Sequence, residues 1–388
     1  MAWRDSMKIL ILSCNTGEGH NSSGKALQAA LIRQGVECDL EDTLAIKSEW
    51  LSKFMSNLYE FSIKISLFGL VYRLAEHYSA LQHKSKSPIY SFSGLFAPKI
   101  SHTINEGQYD GVICVHLFPA EAITLIRHKY GQSVPAIFVM TDYTCIPLLY
   151  ETELDRYVIP HHILTEEFQN KGLSLNKLEA IGIPVNEKRF TERIPKVEAR
   201  KLVNMLFDWR EARGKWYLIM GGSMGFGRIS ELVKQLRDRI SAQDRIVCIC
   251  GKNEKLRNHI KRIFPESSVV KVLGYTSKIS LFMDASDVLL TKPGGITSTE
   301  AIIKNIPLVH INPIKGLEED NAVFFEKMGM SFGGDTIESQ IDRAIKLSQD
   351  TDAQKIMSEA QRVNSNHYCS DEIANLIIHL AQQQQQCS

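Results

Sequence analysis

The chain has 388 residues, 44% hydrophobic, 23% charged and 8% aromatic, with a formal net charge of +1. This is globular composition, long enough for two domains of ordinary size. The near-neutral balance excludes the basic footprint of a nucleic-acid binder, while leaving room for a local basic patch facing a membrane. The eight cysteines are scattered, with no CxxC and no Cys/His cluster of zinc spacing, so buried free thiols in a reducing compartment are expected. No hydrophobic stretch at the start reads as a signal peptide, and no run of roughly 18 apolar residues is present to span a bilayer.

Met1 to Ser6 precedes the first strand and reads in part as extra sequence. The strand Lys8 to Ser13, the turn Cys14 to Gly19, a helix from about Ser22 to Gln34 and a strand Val36 to Asp42 make a βαβ opening. Gly17-Glu18-Gly19-His20 closes the first strand. The glycines allow a tight turn and close approach to a ligand. His20, near a helix N-terminus, is held neutral as a general base requires, or serves only as a polar cap. The spacing Gly17, Gly19, Gly24 misses the G-x-G-x-x-G dinucleotide fingerprint, so NAD binding ranks low.

The segment Ser48 to Ser79 is helical, aromatic and mildly basic. It carries Trp50, Phe54, Phe61 and Phe68, with Lys53, Lys64 and Arg73 interspersed and Glu60 the one acid between Leu51 and Ala75. It reads equally as a helix pair lying in a membrane interface and as a hairpin packed on the first sheet. Its place on an acceptor domain tilts toward the membrane.

Strands follow at Gly111 to Val115, Ala136 to Met140 and Arg156 to Ile159, with helices at Ala120 to Tyr130 and Leu164 to Lys171. His116 and Asp142 each follow a strand end and point to the same rim as His20. Each is a candidate catalytic group, with a structural hydrogen-bonding role as the alternative. Ala180 to Val185 closes this half with a strand and a turn. Lys188 to Arg200, polar and broken by Pro195, reads as a linker, and a helix follows from Glu198 to Trp209.

Strands at Trp216 to Met220, Ile246 to Cys250, Val269 to Leu273, Val288 to Leu290 and Pro307 to Ile311 alternate with helices, the rhythm of a doubly wound parallel sheet. Two such domains facing each other would ring one cleft with strand-end loops. Gly221, Gly222, Ser223, Met224 and Gly225 form an anion nest. Gly274 and Tyr275 follow a strand end suited to reading a base edge. In Lys292 to Glu300 a strand meets a glycine turn and a hydroxyl-rich helix start. There Gly294, Gly295, Ile296 and Thr297 would cradle phosphates, and Glu300, on the first helical turn, would take two ribose hydroxyls. Glu318, Glu319, Asp320 and Asn321 suit the hydroxyls of a hexose, or satisfy a solvated helix start. Helices near Asn321 to Met328 and Ser339 to Ser348 complete this half. A last helix, Asp371 to Ala381, would return to the first domain. Gln382 to Gln386 reads as a frayed tail.

Together, Gly17 to His20, Val139 to Asp142, Gly182 to Val185, Thr291 to Ala301 and Gly316 to Asn321 resemble the glycosyldiacylglycerol synthases, from about Lys8 to Asn364. That family holds the monogalactosyldiacylglycerol synthases and processive diacylglycerol glucosyltransferases of glycosyltransferase family 28. The resemblance implies an α/β GT-B fold of two Rossmann-like domains: residues 1–187 for the acceptor and membrane, and 188–364 for a UDP-sugar. It implies transfer of a hexose, glucose or galactose, to diacylglycerol with inversion and without a metal on the nucleotide. The work would be peripheral, on the cytoplasmic face of an anionic membrane. It makes His20 the candidate base, Glu300 the ribose partner and Glu318 the sugar partner. Leu317 departs from the family's usual glutamine and cannot bond a sugar hydroxyl. Another lipid-linked or small acceptor, or a non-catalytic nucleotide-sugar sensor, remain the competing readings.

Overall fold

The computed structural model describes all residues except 1–6, 16, 65–66, 81–85, 210–212, 266 and 388. The expectation for Met1 to Ser6 therefore lies outside the described residues. The chain divides into two units, one of residues 1–187, 315–317 and 368–388, the other of 188–314 and 318–367.

The first unit opens with β1 (Lys8–Ser13), α1 (Glu18–Arg33) and β2 (Glu37–Asp42). Five helices follow: α2 (Thr43–Lys47), α3 (Glu49–Lys64), α4 (Leu67–Ala80), α5 (Pro88–Ser93) and α6 (Ala97–Gly107). Then come β3 (Gly111–Cys114), α7 (Leu117–Tyr130), β4 (Ala136–Val139), β5 (Arg156–Val158), α8 (Thr165–Asn170) and β6 (Leu178–Glu179). The six strands form one parallel sheet in the order β2-β1-β3-β4-β5-β6. β1, β3 and β4 are short apolar runs buried on both faces, as parallel strands between helix layers must be. Edge strand β2 is polar and only partly covered. Gly24 lets α1 lie close on the sheet, because a Cβ there would stand 2.7 Å from Leu40.

The second unit begins with α9 (Glu187–Thr191), α10 (Lys196–Phe207), β7 (Trp216–Met220), α11 (Ile229–Arg239) and β8 (Arg245–Ile249). It continues through α12 (Glu254–Ile263), β9 (Val270–Leu273), α13 (Ile279–Ala285), β10 (Val288–Thr291) and α14 (Gly295–Lys304). It ends with β11 (Leu308–His310), α15 (Leu317–Lys327), α16 (Ile337–Gln349) and α17 (Thr351–Val363). Its parallel sheet runs β11-β10-β7-β8-β9.

Finally α18 (Cys369–Cys387) joins the first unit. Ile373, Ala374 and Ile377 are fully buried there, in one core with Ile9, Leu27, Leu31 and Ile113. Arg33 pairs with Asp371 at 2.7 Å on the same seam.

Several expectations are corrected. The glutamine tract is helical, not frayed: Gln384 Nε2 donates to the Ser133 carbonyl at 2.6 Å and Gln385 Nε2 to Asp110 at 3.0 Å. The stretch read as a linker is folded into the second unit. Lys196 and Arg200 both pair with Asp287, at 2.9 and 2.5 Å, and Ser280 donates to the Arg189 carbonyl at 2.8 Å. The strand expected within Ala180 to Val185 is instead Leu178–Glu179, with 180–186 irregular. Helices α2, α5, α6, α9 and α17 were not anticipated.

Candidate functional site

In an open parallel sheet, ligands collect at the carboxyl ends of the two strands where the winding direction reverses. In the first unit those strands are β1 and β3. His20 follows the first and His116 the second. α1 begins at Glu18, four residues before the expected start, so His20 sits within the first helical turn.

His20 Nδ1 lies 2.7 Å from the Val115 carbonyl oxygen. A carbonyl only accepts, so Nδ1 carries the hydrogen and Nε2 keeps its lone pair, which no hydrogen bond occupies among the described residues. Thr141 Oγ1 stands 3.3 Å from the same Nδ1 and donates to Asp142 Oδ2 at 3.3 Å. Asp142 thus reaches His20 through a threonine hydroxyl. Burial holds the His20 pKa below its ordinary 6.5, against the opposing pull of the Val115 carbonyl.

His116 packs edge-on against His20, ring centroids 4.8 Å apart. It is the N-cap of α7, its Nδ1 accepting from the Phe118 N–H at 3.1 Å. That bond occupies the lone pair a base would use. Burial, and after it His20, drives its pKa well below 6.5. The geometry separates the three candidates: one imidazole with a free acceptor nitrogen, one cap and one carboxylate linked through Thr141.

These groups form the polar end of an apolar cavity of about 480 Å³. Met140, Ile146 and Leu148 line one side, and Met55, Tyr59, Phe68, Val71 and Tyr72 of α3 and α4 line the other. Leu317, counted with this unit, also borders it. The hairpin is apolar on a second face as well. Trp50, Phe54 and Phe61 along α3, and Leu70 and Leu74 along α4, are exposed and lie outside the cavity lining. Trp50 and Phe54 stack at 5.2 Å. Phe68 differs from Trp50, Phe54 and Phe61: it is half-buried and packs edge-on against Tyr59 at 5.5 Å. One face of the hairpin lines the cavity and the other is uncovered. Among the described residues no helix is long and apolar enough to cross a membrane.

In the second unit the winding reverses between β7 and β10. The loop after β7 holds Gly221, Gly222 and Ser223. Neighbouring backbone braces it, with Lys252 N–H donating to the Ser223 carbonyl at 2.7 Å. The loop after β10 leads to Gly294, the N-cap of α14, where no side-chain oxygen occupies the first amides. Gly295 is buried, and Ile296 and Thr297 are half-buried.

Glu300 is on the second turn of α14, one turn further along than expected. Its side chain forms no hydrogen bond among the described residues. Burial pushes its carboxyl up to about 7, Arg189 pulling the other way. A carboxylate in that position lacks donors of the kind a diol carries. Asn321 is wholly buried, donating to the Pro293 carbonyl at 2.9 Å, and so braces the turn rather than facing outward. Glu318 is buried and ion-paired with Lys292 at 2.5 Å, while Glu319 is half-buried on the same helical turn. Gly274 abuts Glu254, and Tyr275 is exposed. Sequence reading passed over Lys292 because its partner lies 26 residues away. Among the described residues no three His, Cys, Asp or Glu side chains cluster as metal ligands do.

Residues 20–185 match the monogalactosyldiacylglycerol (MGDG) synthase family, and residues 217–373 match the glycosyltransferase family 28 C-terminal domain. A processive diacylglycerol beta-glucosyltransferase of Bacillus subtilis is 27% identical over 376 residues, 94% of each chain. That of Bacillus pumilus is 29% identical over 367 residues, 93% of this chain and 91% of its own. Among solved structures, Acinetobacter baumannii MurG superposes with a TM-score of 0.63 at 12% identity, covering 96% of this chain and 99% of its own. The S. aureus MnaA–UDP structure gives 0.64 at 16%, covering 97% of each. The two parallel sheets are thus those of a GT-B fold, and the chain carries, in order, a region of the MGDG synthase family and a glycosyltransferase family 28 C-terminal domain.

Proposed function

We propose that this chain is an inverting glycosyltransferase that moves a hexose from UDP-glucose or UDP-galactose to diacylglycerol. The observation that carries the reading is the apolar cavity of the first unit, with the free Nε2 of His20 at its polar end. A lipid alcohol is the acceptor whose shape matches: an apolar body with one hydroxyl to present. His20 Nε2 takes the proton of that hydroxyl as its oxygen attacks the anomeric carbon. Thr141 and the Val115 carbonyl hold the ring in the tautomer this needs. The bond from the anomeric carbon to the β-phosphate oxygen breaks, and UDP leaves with the electron pair.

The second unit supplies the donor subsite. Glu300 accepts the ribose hydroxyls, and the amides opening α14 face the diphosphate. The relatives named as diacylglycerol glucosyltransferases support this acceptor, and the MnaA–UDP complex supports a fold that accommodates UDP. Membrane contact falls to the uncovered face of α3 and α4, so the enzyme works peripherally on the cytoplasmic leaflet. The nucleotide carries no metal in this reading, and chelator leaves turnover unchanged.

The test is UDP release from a panel of UDP-hexoses, with and without diacylglycerol vesicles, followed by mass analysis of the lipid. Lipid-dependent release with a hexose-sized mass gain names the donor and establishes the reaction. Donor binding without a lipid product overturns the diacylglycerol acceptor.

A further inference from the structure

Lys292 follows the last residue of β10 and extends along the glycine turn that follows β7. Gly222 has φ +72°, and a Cβ there would stand 2.4 Å from Lys292 Cε. Any side chain at 222 would displace the lysine, and a left-handed backbone disfavours one in any case. The lysine then reaches Glu318 Oε1 at 2.5 Å. Glu318 is itself fixed, its second oxygen accepting the Ile314 N–H at 3.0 Å. Its side chain is only 8% exposed, whereas that of Lys292 is 21% exposed. The carboxylate is the buried anchor and the ammonium the more accessible end.

A Cβ on Gly294 would lie 3.6 Å from Glu318 Oε1 and 4.0 Å from Lys292 Cε. The ion pair therefore borders the backbone where α14 begins, between the two loops at the reversal point of this sheet. A lysine has three donor hydrogens, and one carboxylate oxygen at 2.5 Å engages one of them.

We propose that Lys292 is the fixed cation that binds the donor's diphosphate, and that Glu318 is its positioning residue rather than a partner of the transferred sugar. This rests on the donor reading above. As the anomeric C–O bond breaks, its electron pair stays on the β-phosphate oxygen, and the acceptor's proton goes to His20. The added negative charge falls beside an ammonium already held in place, with no proton transferred to or from Lys292. Glu318 keeps that lysine from swinging into solvent, which would otherwise cost side-chain entropy on binding.

The experiment is calorimetric binding of UDP and of uridine to the full chain and three variants. Removing the lysine alone strands a buried carboxylate, so the informative variant is K292M/E318Q, with K292M and K292R beside it. The expected result is unchanged uridine affinity in K292M/E318Q, a roughly ten- to hundred-fold loss for UDP, and most of the UDP affinity kept in K292R. Raising salt should weaken UDP binding less in the double variant than in the parent. Equal UDP affinity in parent and double variant overturns the assignment. Parallel loss of uridine and UDP overturns it too, because Lys292 would then only build the loop. A parent chain that binds neither ligand removes the donor reading and this proposal with it.

Discussion

At the scale of single residues, the proposed chemistry turns on which nitrogen of His20 can accept a proton. The Val115 carbonyl settles the tautomer at 2.7 Å. Burial, its largest perturbation, keeps the ring neutral below pH 6.5. An imidazole must be neutral to act as a base, so the acidic limb of kcat/KM is expected below 6.5, not at it. His20→Ala should lower kcat by about 10²- to 10⁴-fold while leaving UDP affinity intact. A pH–rate profile of parent and variant checks both statements. An acidic limb above 6.5, or one that persists in the variant, would move the base elsewhere. Part of this was readable in advance: a histidine after glycines at a strand end marks a site. The tautomer was not, because Val115 and Thr141 reach His20 only through the pairing of β1, β3 and β4. Glu300 was placed one helical turn too early for a related reason. Gly294 and Gly295 look like turn residues, yet one is the N-cap and the other the first residue of α14.

At the scale of elements, α3 and α4 are unusual in being apolar on two faces. The inner face lines the cavity, and the outer one leaves Trp50 69%, Phe54 48% and Phe61 57% exposed. Each such side chain stabilises an interface by up to about 1.5–3 kcal/mol when fully transferred from water. W50S/F54S/F61S is therefore expected to lose at least about ten-fold in vesicle affinity. Its turnover of a detergent-dispersed diacylglycerol should stay near the parent's. Co-sedimentation with anionic vesicles, run beside the dispersed assay, checks the pair of outcomes. Equal loss in both assays would make the stripe part of the fold instead of a docking face. Strands were the most legible elements, since β1, β7 and β10 are uninterrupted apolar runs that only a doubly covered sheet accommodates. Thinly apolar helices were the least legible. α17 buries only Met357 and Gln361, too little to mark a period. The glutamines ending α18 are held by amide hydrogen bonds, which leave no hydrophobic pattern at all.

At the scale of the whole molecule, stability is squeezed by proton linkage from both sides. Burial lowers the pKa of His20, His116 and His310, so the unfolded chain takes up protons first below 6.5 and acid destabilises the fold. On the other side stands Glu121 of α7. It is wholly buried, neither carboxyl oxygen has a hydrogen-bond partner among the described residues, and burial, with Glu151 second, pushes it up to about 8. The unfolded chain releases this proton near 4.5, while the folded chain keeps it until about 8. Its contribution is therefore full below 4.5 and declines as pH rises to 8. E121Q cannot ionise and should gain on the parent across that interval. Denaturation midpoints of both proteins over the range check it, and a pH-independent difference would refute it.

The placement of α18 also bears on how the chain is made. The core of the first unit is missing Ile373, Ala374 and Ile377 until residues beyond the entire second unit have been synthesised. At ~5–20 residues per second, that delay is on the order of tens of seconds. During it, the α1 surface around Leu27 and Leu31 waits without its cover on the ribosome, while the later-encoded unit already has every strand it needs. Order of encoding and order of completion are thus reversed: the first-made half is the last to have its core closed.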